Sequence, residues 1–425
     1  MRNSTKIFVF VYLLLAYIFP HNLYANGFRI LGIKGTKATG MGEAFTAQAD
    51  DPTAISFNPA GITQLDGTWI QQGLSVVNSY TDHTSPSGIK EEIEDDWQAV
   101  PNLYVTSDFG LEKWTFGIGL SVPNGISSSW KEDSLVRYVD TFSDLLIADI
   151  NAAAAYPLTD QLSIGAGMSY YYSEVTLRNK VDFGLLAGAP GAFDANSRLF
   201  GKGDALGWDI GLLFKLNEQH HFGFFFKSEF DVDFDDSKVQ LTNIPPFVGL
   251  GPSITSPAKT ELEVPGVLVF GYAFRPTPKW KLEFNLDWTM WDTLDTVHVD
   301  VEDPRLTDTT FLFNYEDAFA YKFGLEYLCS PRLKLRAGYI FNEKAIPDDF
   351  FRPSIPESTT HLISCGLGYD IGKHWIVDAG AQVIVYEDRT IDNNVDNNET
   401  VSSSSVDGLY ESIGFNFMVS VTYRI

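Results

Sequence analysis

The chain has 425 residues, a formal net charge of −25 and two cysteines. That sign of charge argues against a nucleic-acid binder, and two cysteines rule out a disulfide-stapled scaffold. Aromatics make up 14% of the chain, with 32 Phe, 19 Tyr and 9 Trp, yet no long helical stripe is present to bury them, as a helical soluble enzyme would require.

The N-terminus carries Arg2 and Lys6, an apolar run Ile7–Phe19, Pro20, and then Leu23-Tyr24-Ala25. A basic start, a short apolar core and a small final residue describe a secretory signal over residues 1–25. The apolar run is shorter than the roughly 20 residues needed to span a bilayer. No later segment approaches a spanning helix, so an exported chain is periplasmic, secreted or an outer-membrane barrel.

Residues 26–67 are rich in Gly and Ala and follow neither a helical nor a strand period. Alone, such a segment buries too little apolar surface to offset its ordering entropy. It is therefore expected to fold against something larger, as a plug. Its last turn is Asn58-Pro59-Ala60-Gly61, where proline biases Asn58 away from helix.

From Thr68 onward, alternating segments recur. In Phe319–Tyr327 every bulky apolar residue falls on one face, with Ala, Lys, Gly and Glu on the other. Trp280–Trp288, Phe222–Phe226 and Ile413–Tyr423 do the same. Strands are expected near 68–80, 97–108, 113–122, 143–156, 162–178, 204–216 and 221–235. The rest fall near 260–275, 280–293, 316–328, 333–342, 360–371, 375–390 and 409–424, making fourteen, the even number that single-chain bacterial barrels require. Residues 68–425 thus read as an all-β, 14-stranded antiparallel transmembrane barrel with its greasy side toward lipid.

Short turns such as 109–112 and 157–161 alternate with long polar loops such as 123–142 and 179–203, which places the long loops outside. Trp114, Trp280, Trp375, Tyr156, Phe274, Tyr327 and Tyr369 sit beside short turns, where an interfacial girdle belongs. The acidic runs in the loops read as solvated surface. Membrane lipid, lipopolysaccharide and the outer-membrane assembly machinery are the expected partners, although the chain ends in Arg424-Ile425 rather than in Phe.

No catalytic or cofactor motif is present. Asp392, Asn394 and Asp396 suggest calcium but lack the turn glycine, so no metal or other cofactor is expected. His83 and His298, in or near outer loops, are the candidates for a lipid-modifying enzyme and have no motif around them. Cys329 and Cys365 are separated by a whole strand and are expected to stay as free thiols.

Several segments together resemble the FadL family of outer-membrane hydrophobic-substrate transporters. They are Asn26-Gly27-Phe28, Gly40-Met41-Gly42-Glu43-Ala44, Ala49-Asp50-Asp51-Pro52, Asn58-Pro59-Ala60, Val100-Pro101-Asn102, Val122-Pro123-Asn124-Gly125, Val264-Pro265 and Arg336-Ala337-Gly338-Tyr339. The resemblance implies passive uptake of long-chain fatty acids or aromatic hydrocarbons and exit sideways at a kink in the third strand. It makes Phe28 a gating aromatic, Asn58, Pro59 and Ala60 plug residues, and Pro123, Asn124 and Gly125 the kink. Independently, Pro cannot donate to a ladder and Gly weakens one, so pairing is expected to break there. A carboxylate ligand would want a basic partner, and the inward candidates are Lys227, Lys322 and Arg336, with Lys334 beside them. Apolar loop residues, among them Leu135, Leu145, Leu186 and Ile254, are candidates for a capture groove. A general aqueous porin is the main alternative, but it would have no need of a plug.

Overall fold

The computed structural model describes residues 27–94, 97–393, 395 and 406–425. The signal segment, Asn26, Asn394 and Asp396 lie outside the described residues. Fourteen strands form the wall. The first seven are β1 (Thr68–Thr84), β2 (Gln98–Ser107), β3 (Thr115–Ser129), β4 (Phe142–Pro157), β5 (Leu162–Asp182), β6 (Asp194–Lys215) and β7 (His220–Lys227). The others are β8 (Val267–Thr277), β9 (Trp280–Thr289), β10 (Ala318–Leu328), β11 (Leu333–Asn342), β12 (Thr360–Ile371), β13 (Trp375–Tyr386) and β14 (Gly408–Arg424). Each is antiparallel to the next, and β14 closes on β1 from Trp69↔Arg424 to Thr84↔Leu409. Closure leaves no free edge, the condition for a sheet to stand in hydrocarbon.

The alternation points as the sequence predicts. Phe323 is 49% exposed and Phe417 52%, while their neighbours Lys322 and Asn416 are 2% and 0% exposed. Large apolar side chains therefore line the outside and polar ones the inside, the reverse of a soluble sandwich. The girdle is built from cross-strand ring pairs beside the short turns: Trp114–Tyr156 at 5.0 Å, Trp280–Tyr327 at 4.4 Å and Trp375–Tyr423 at 4.5 Å. Cys329 and Cys365 are unpaired and exposed.

The strands expected at 113–122 and 204–216 run further into the expected loops, to Ser129 and from Asp194, and two others are interrupted. The segment expected at 221–235 stops at Lys227 and resumes at Phe230, and the one expected at 260–275 divides between Val264 and Val267. Pro265 lacks the N–H a ladder needs, and the two interruptions face each other, since Val267 pairs with Lys227 and Val264 with Phe230.

Residues 27–67 fill the lumen. They form one short helix, α1 (Thr36–Gly40), and two 3-10 turns, Pro52–Ser56 and Pro59–Gln64, capped by the Asp51 and Asn58 side chains. Asn58 also donates to the carbonyls of Thr46 (2.8 Å) and of Leu212 in β6 (2.9 Å), which ties the plug to the wall. Glycines on inward strand faces let its backbone approach. A Cβ on Gly338 would overlap the Gly42 amide, and one on Gly165 would overlap Pro59 and Ala60. Gly338→Val is thus expected to displace the plug at a cost of about 3 kcal/mol or more, read as a lowered thermal unfolding midpoint.

Buried ion pairs complete the seal. Lys322 on β10 meets Glu43 of the plug at 3.1 Å and Asp287 of β9 at 2.7 Å. Lys281 on β9 lies 3.0 Å from Asp50 of the plug and 3.1 Å from Glu326, and Arg336 on β11 holds Glu326 (2.8 Å) and Asp378 (2.5 Å). The polar inner face of the barrel is therefore matched to the plug instead of lining a wide water channel.

Candidate functional site

The wall is incomplete at one place. β2 and β3 pair only from Ser107↔Phe116 to Leu103↔Leu120. Beyond that, β2 stays with β1 up to Val77↔Gln98, while β3 stays with β4 after a register shift between Ser121 and Asn124. Pro101 on β2 and Pro123 on β3 each lack an N–H, so neither strand can carry a full ladder across this stretch. A slot between β2 and β3 results.

The first described residues of the plug occupy the edge that β3 leaves unpaired. The Ile30 amide donates to the Pro123 carbonyl at 2.9 Å, and the Gly125 amide donates to the Phe28 carbonyl at 2.8 Å. Arg29 and Asn124 face each other as an isolated bridge. The Phe28 ring is 1% exposed and meets Trp291 edge-on, with centroids 4.8 Å apart. Both rings belong to an apolar cluster with Trp130, Tyr171, Phe230, Phe351 and Tyr410. That cluster closes the outer end of the barrel, where the Trp130 indole donates to the Pro353 carbonyl at 3.2 Å.

Behind the slot lies a cavity of about 40 Å³, bordered by Arg29, Lys34, Pro123, Asn124, Asp149 and Lys227 and by the apolar Phe225, Phe230, Val264 and Val267. Of the residues singled out from sequence, Pro123, Asn124 and Lys227 border this cavity, while Phe28 and Gly125 bond each other beside it. Asn58, Pro59 and Ala60 do not; they anchor the plug to β5 and β6. Lys322 and Arg336 are engaged in the ion pairs described above and stand away from the cavity lining. Lys334 pairs with Asp370 at 3.3 Å. Lys34, which borders the cavity from the plug, is missed by strand alternation because it sits in a segment with no period.

The apolar residues expected in a capture groove divide, and Leu145 and Ile254 lie on strands instead of in loops. Leu145 and Ile254 are buried in separate clusters, whereas Leu186 is 74% exposed and Phe247 stacks edge-on with Phe193 on the surface. Outer residues also reach the N-terminal segment. Buried Glu357 accepts from the amides of Gly27 (3.2 Å), Ala345 (2.7 Å) and Ile346 (2.9 Å). Burial, outweighing those amides and Arg389, pushes its carboxyl up to about 7. A raised folded pKa means the stabilisation is complete below the ordinary value near 4.5 and is lost as pH rises through about 7. Exchange of the Ala345 and Ile346 amides is therefore expected to slow on going from pH 8 to pH 5 in the wild type, after correction for intrinsic rates. Glu357→Gln is expected to flatten that dependence.

A closed barrel with an internal plug and a side slot that the plug's own end occupies defines an outer-membrane transport channel. The chain belongs to the outer membrane protein transport protein family (OMPP1/FadL/TodX), which it matches over residues 21–425. It is thus a transport protein of the Gram-negative outer membrane rather than an enzyme. It is 24% identical over 387 residues to the long-chain fatty acid transport protein of Escherichia coli K12, covering 81% of this chain and 84% of that one. The fold superimposes on a Pseudomonas aeruginosa FadL homologue with a TM-score of 0.79 at 16% identity, covering 94% and 99% of the two chains. It also superimposes on the P. putida toluene transporter TodX, with a TM-score of 0.70 at 18% identity and coverage of 92% and 98%.

Proposed function

We propose that the chain carries long-chain fatty acids, or related hydrophobic compounds such as aromatic hydrocarbons, passively across the outer membrane. In this reading a ligand enters among the outer loops, passes the aromatic cluster to the cavity, and leaves between β2 and β3. Residues 27–30 act as the gate on that slot, and Pro123, Asn124 and Gly125 hold it open to the bilayer. The observation that carries the reading is the slot itself, with a partly apolar cavity behind it and a docked terminus across it. The relatives named for long-chain fatty acids and for toluene point to the same classes of ligand.

The physics favours a lateral exit. Each CH₂ kept in water costs about 0.8 kcal/mol, so release into the hydrocarbon interior is downhill, whereas release into the periplasm is not. Pro123→Ala combined with Gly125→Val restores an N–H and a strand former at the kink. This double variant is expected to slow delivery of oleate into the cell several-fold, read by a transport assay, while equilibrium binding stays near the wild-type value. Loss of binding with unchanged delivery would overturn the assignment of these residues to the exit. Indifference of the wild-type protein to both oleate and toluene would overturn the transport reading as a whole.

A further inference from the structure

Three cationic side chains and one carboxylate border the cavity: Arg29, Lys34, Lys227 and Asp149. Arg29 is neutralised by Asp287 of β9 at 2.8 Å, and Lys227 by Asp149 of β4 at 2.5 Å. Lys34 is left over. Its ammonium lies 4.7 Å from the centre of the Phe57 ring and makes no ion pair among the described residues. The nearest acid of the plug, Glu43, is already taken by the Gly32 amide (2.8 Å) and Lys322 (3.1 Å). The backbone of Lys34 is pinned by the Tyr104 hydroxyl, which donates to its carbonyl at 2.9 Å. The main chain at this cation is thus fixed, while its ammonium has no ion-pair partner among the described residues.

The groups facing Lys34 are Glu43 and Arg29 of the plug, Lys227 of β7 and Lys322 of β10, and three of these four are positive. Burial, helped by those three cations and opposed by Glu43, lowers the Lys34 ammonium to about 7. Lys34 is half-buried, and an unpaired charge stripped of part of its water gains from a partner of opposite sign. Phe225, Phe230, Val264 and Val267 line the same cavity, so it offers apolar surface beside its cations. A volume of about 40 Å³ accepts a headgroup but not an acyl tail. The tail must run into the neighbouring aromatic cluster at the expense of Phe28, which couples headgroup capture to opening.

We propose that Lys34 is the headgroup-binding residue of this cavity, so that the chain prefers hydrophobic ligands ending in a carboxylate to neutral hydrocarbons. The proposal rests on the hydrophobic-ligand reading above. Its test is equilibrium binding of oleate and of oleyl alcohol, its neutral analogue, to the full chain and to Lys34→Met. In the wild type oleate binds more tightly than oleyl alcohol. Lys34→Met weakens oleate by at least about tenfold, the loss of one charge-assisted contact, and leaves oleyl alcohol unchanged. Equal weakening of both ligands, or of neither, overturns the role of Lys34 and leaves the transport reading standing. Wild-type protein that binds neither ligand overturns both.

A second readout does not depend on how the variant folds. A bound carboxylate raises the affinity of Lys34 for its proton, so oleate binding takes up protons at neutral pH, visible in titration calorimetry as a dependence of the heat on buffer ionisation. Oleyl alcohol shows no such dependence. Proton uptake that is absent for oleate, or equal for both ligands, overturns the proposal.

Discussion

Phe28→Ala is expected to release the N-terminal segment from β3. The ring is fully buried against Trp291, and truncation of a buried Phe costs about 3–5 kcal/mol. What remains to hold the segment is two backbone hydrogen bonds, the bonds of Arg29 to Asp287 and Thr289, the Gly27–Glu357 contact and the packing of Ile30. At about 1.4 kcal/mol per decade, the undocked population rises by about 10²-fold or more. Hydrogen exchange at the Ile30 and Gly125 amides reads this directly, because those two bonds exist only when the segment is docked. Their exchange should accelerate by that factor, while amides of the β9–β10 ladder keep their protection. Unchanged exchange at Ile30 would show that polar contacts alone seat the segment.

Lys322→Met is expected to unseat the plug itself. The ammonium is 3% exposed and serves two carboxylates, Glu43 and Asp287, that are themselves buried. Removing it leaves Glu43 without an ion-pair partner and Asp287 with Arg29 alone, and breaking a buried pair by deleting one partner costs about 3–5 kcal/mol. Methionine fills much of the volume, so the loss is electrostatic rather than a cavity effect. The expected result is a lower thermal midpoint and ion conductance in planar bilayers, where the wild type stays closed. Adding Glu43→Gln to the variant removes the carboxylate left without a cation, since Asp287 keeps Arg29, and should recover most of the stability. If the double variant is no better than the single one, the ion pairs are not what holds the plug.

The barrel was legible in the sequence because its signal is local. Period-2 alternation over segments such as Phe319–Tyr327 says which face is greasy, and a near-neutral mean hydropathy with abundant aromatics says that this face meets lipid. Alternating short and long connections orient the whole, and a Gly/Ala-rich opening with no period needs a host. The resemblance then added a role for Phe28 and for the Pro123–Gly125 kink, which a lone Pro-x-Gly after a strand would not carry.

What each inward charge does was not legible. Alternation marks Lys227, Lys322 and Arg336 equally as lumen-facing, but only Lys227 borders the cavity. The difference comes from pairings such as Lys322 with Glu43 and Arg29 with Asp287, between residues more than 250 positions apart. Likewise the slot depends on where β2 stops following β3, and the grip of Glu357 on Gly27 spans 330 positions. The sequence by itself determined the wall and its polarity, since each strand carries its own two-sided pattern. Only the tertiary structure decided which charges are spent on the plug and which one is left over, because in a sealed lumen a charge's role depends on its neighbours across the barrel and not on those beside it in the chain.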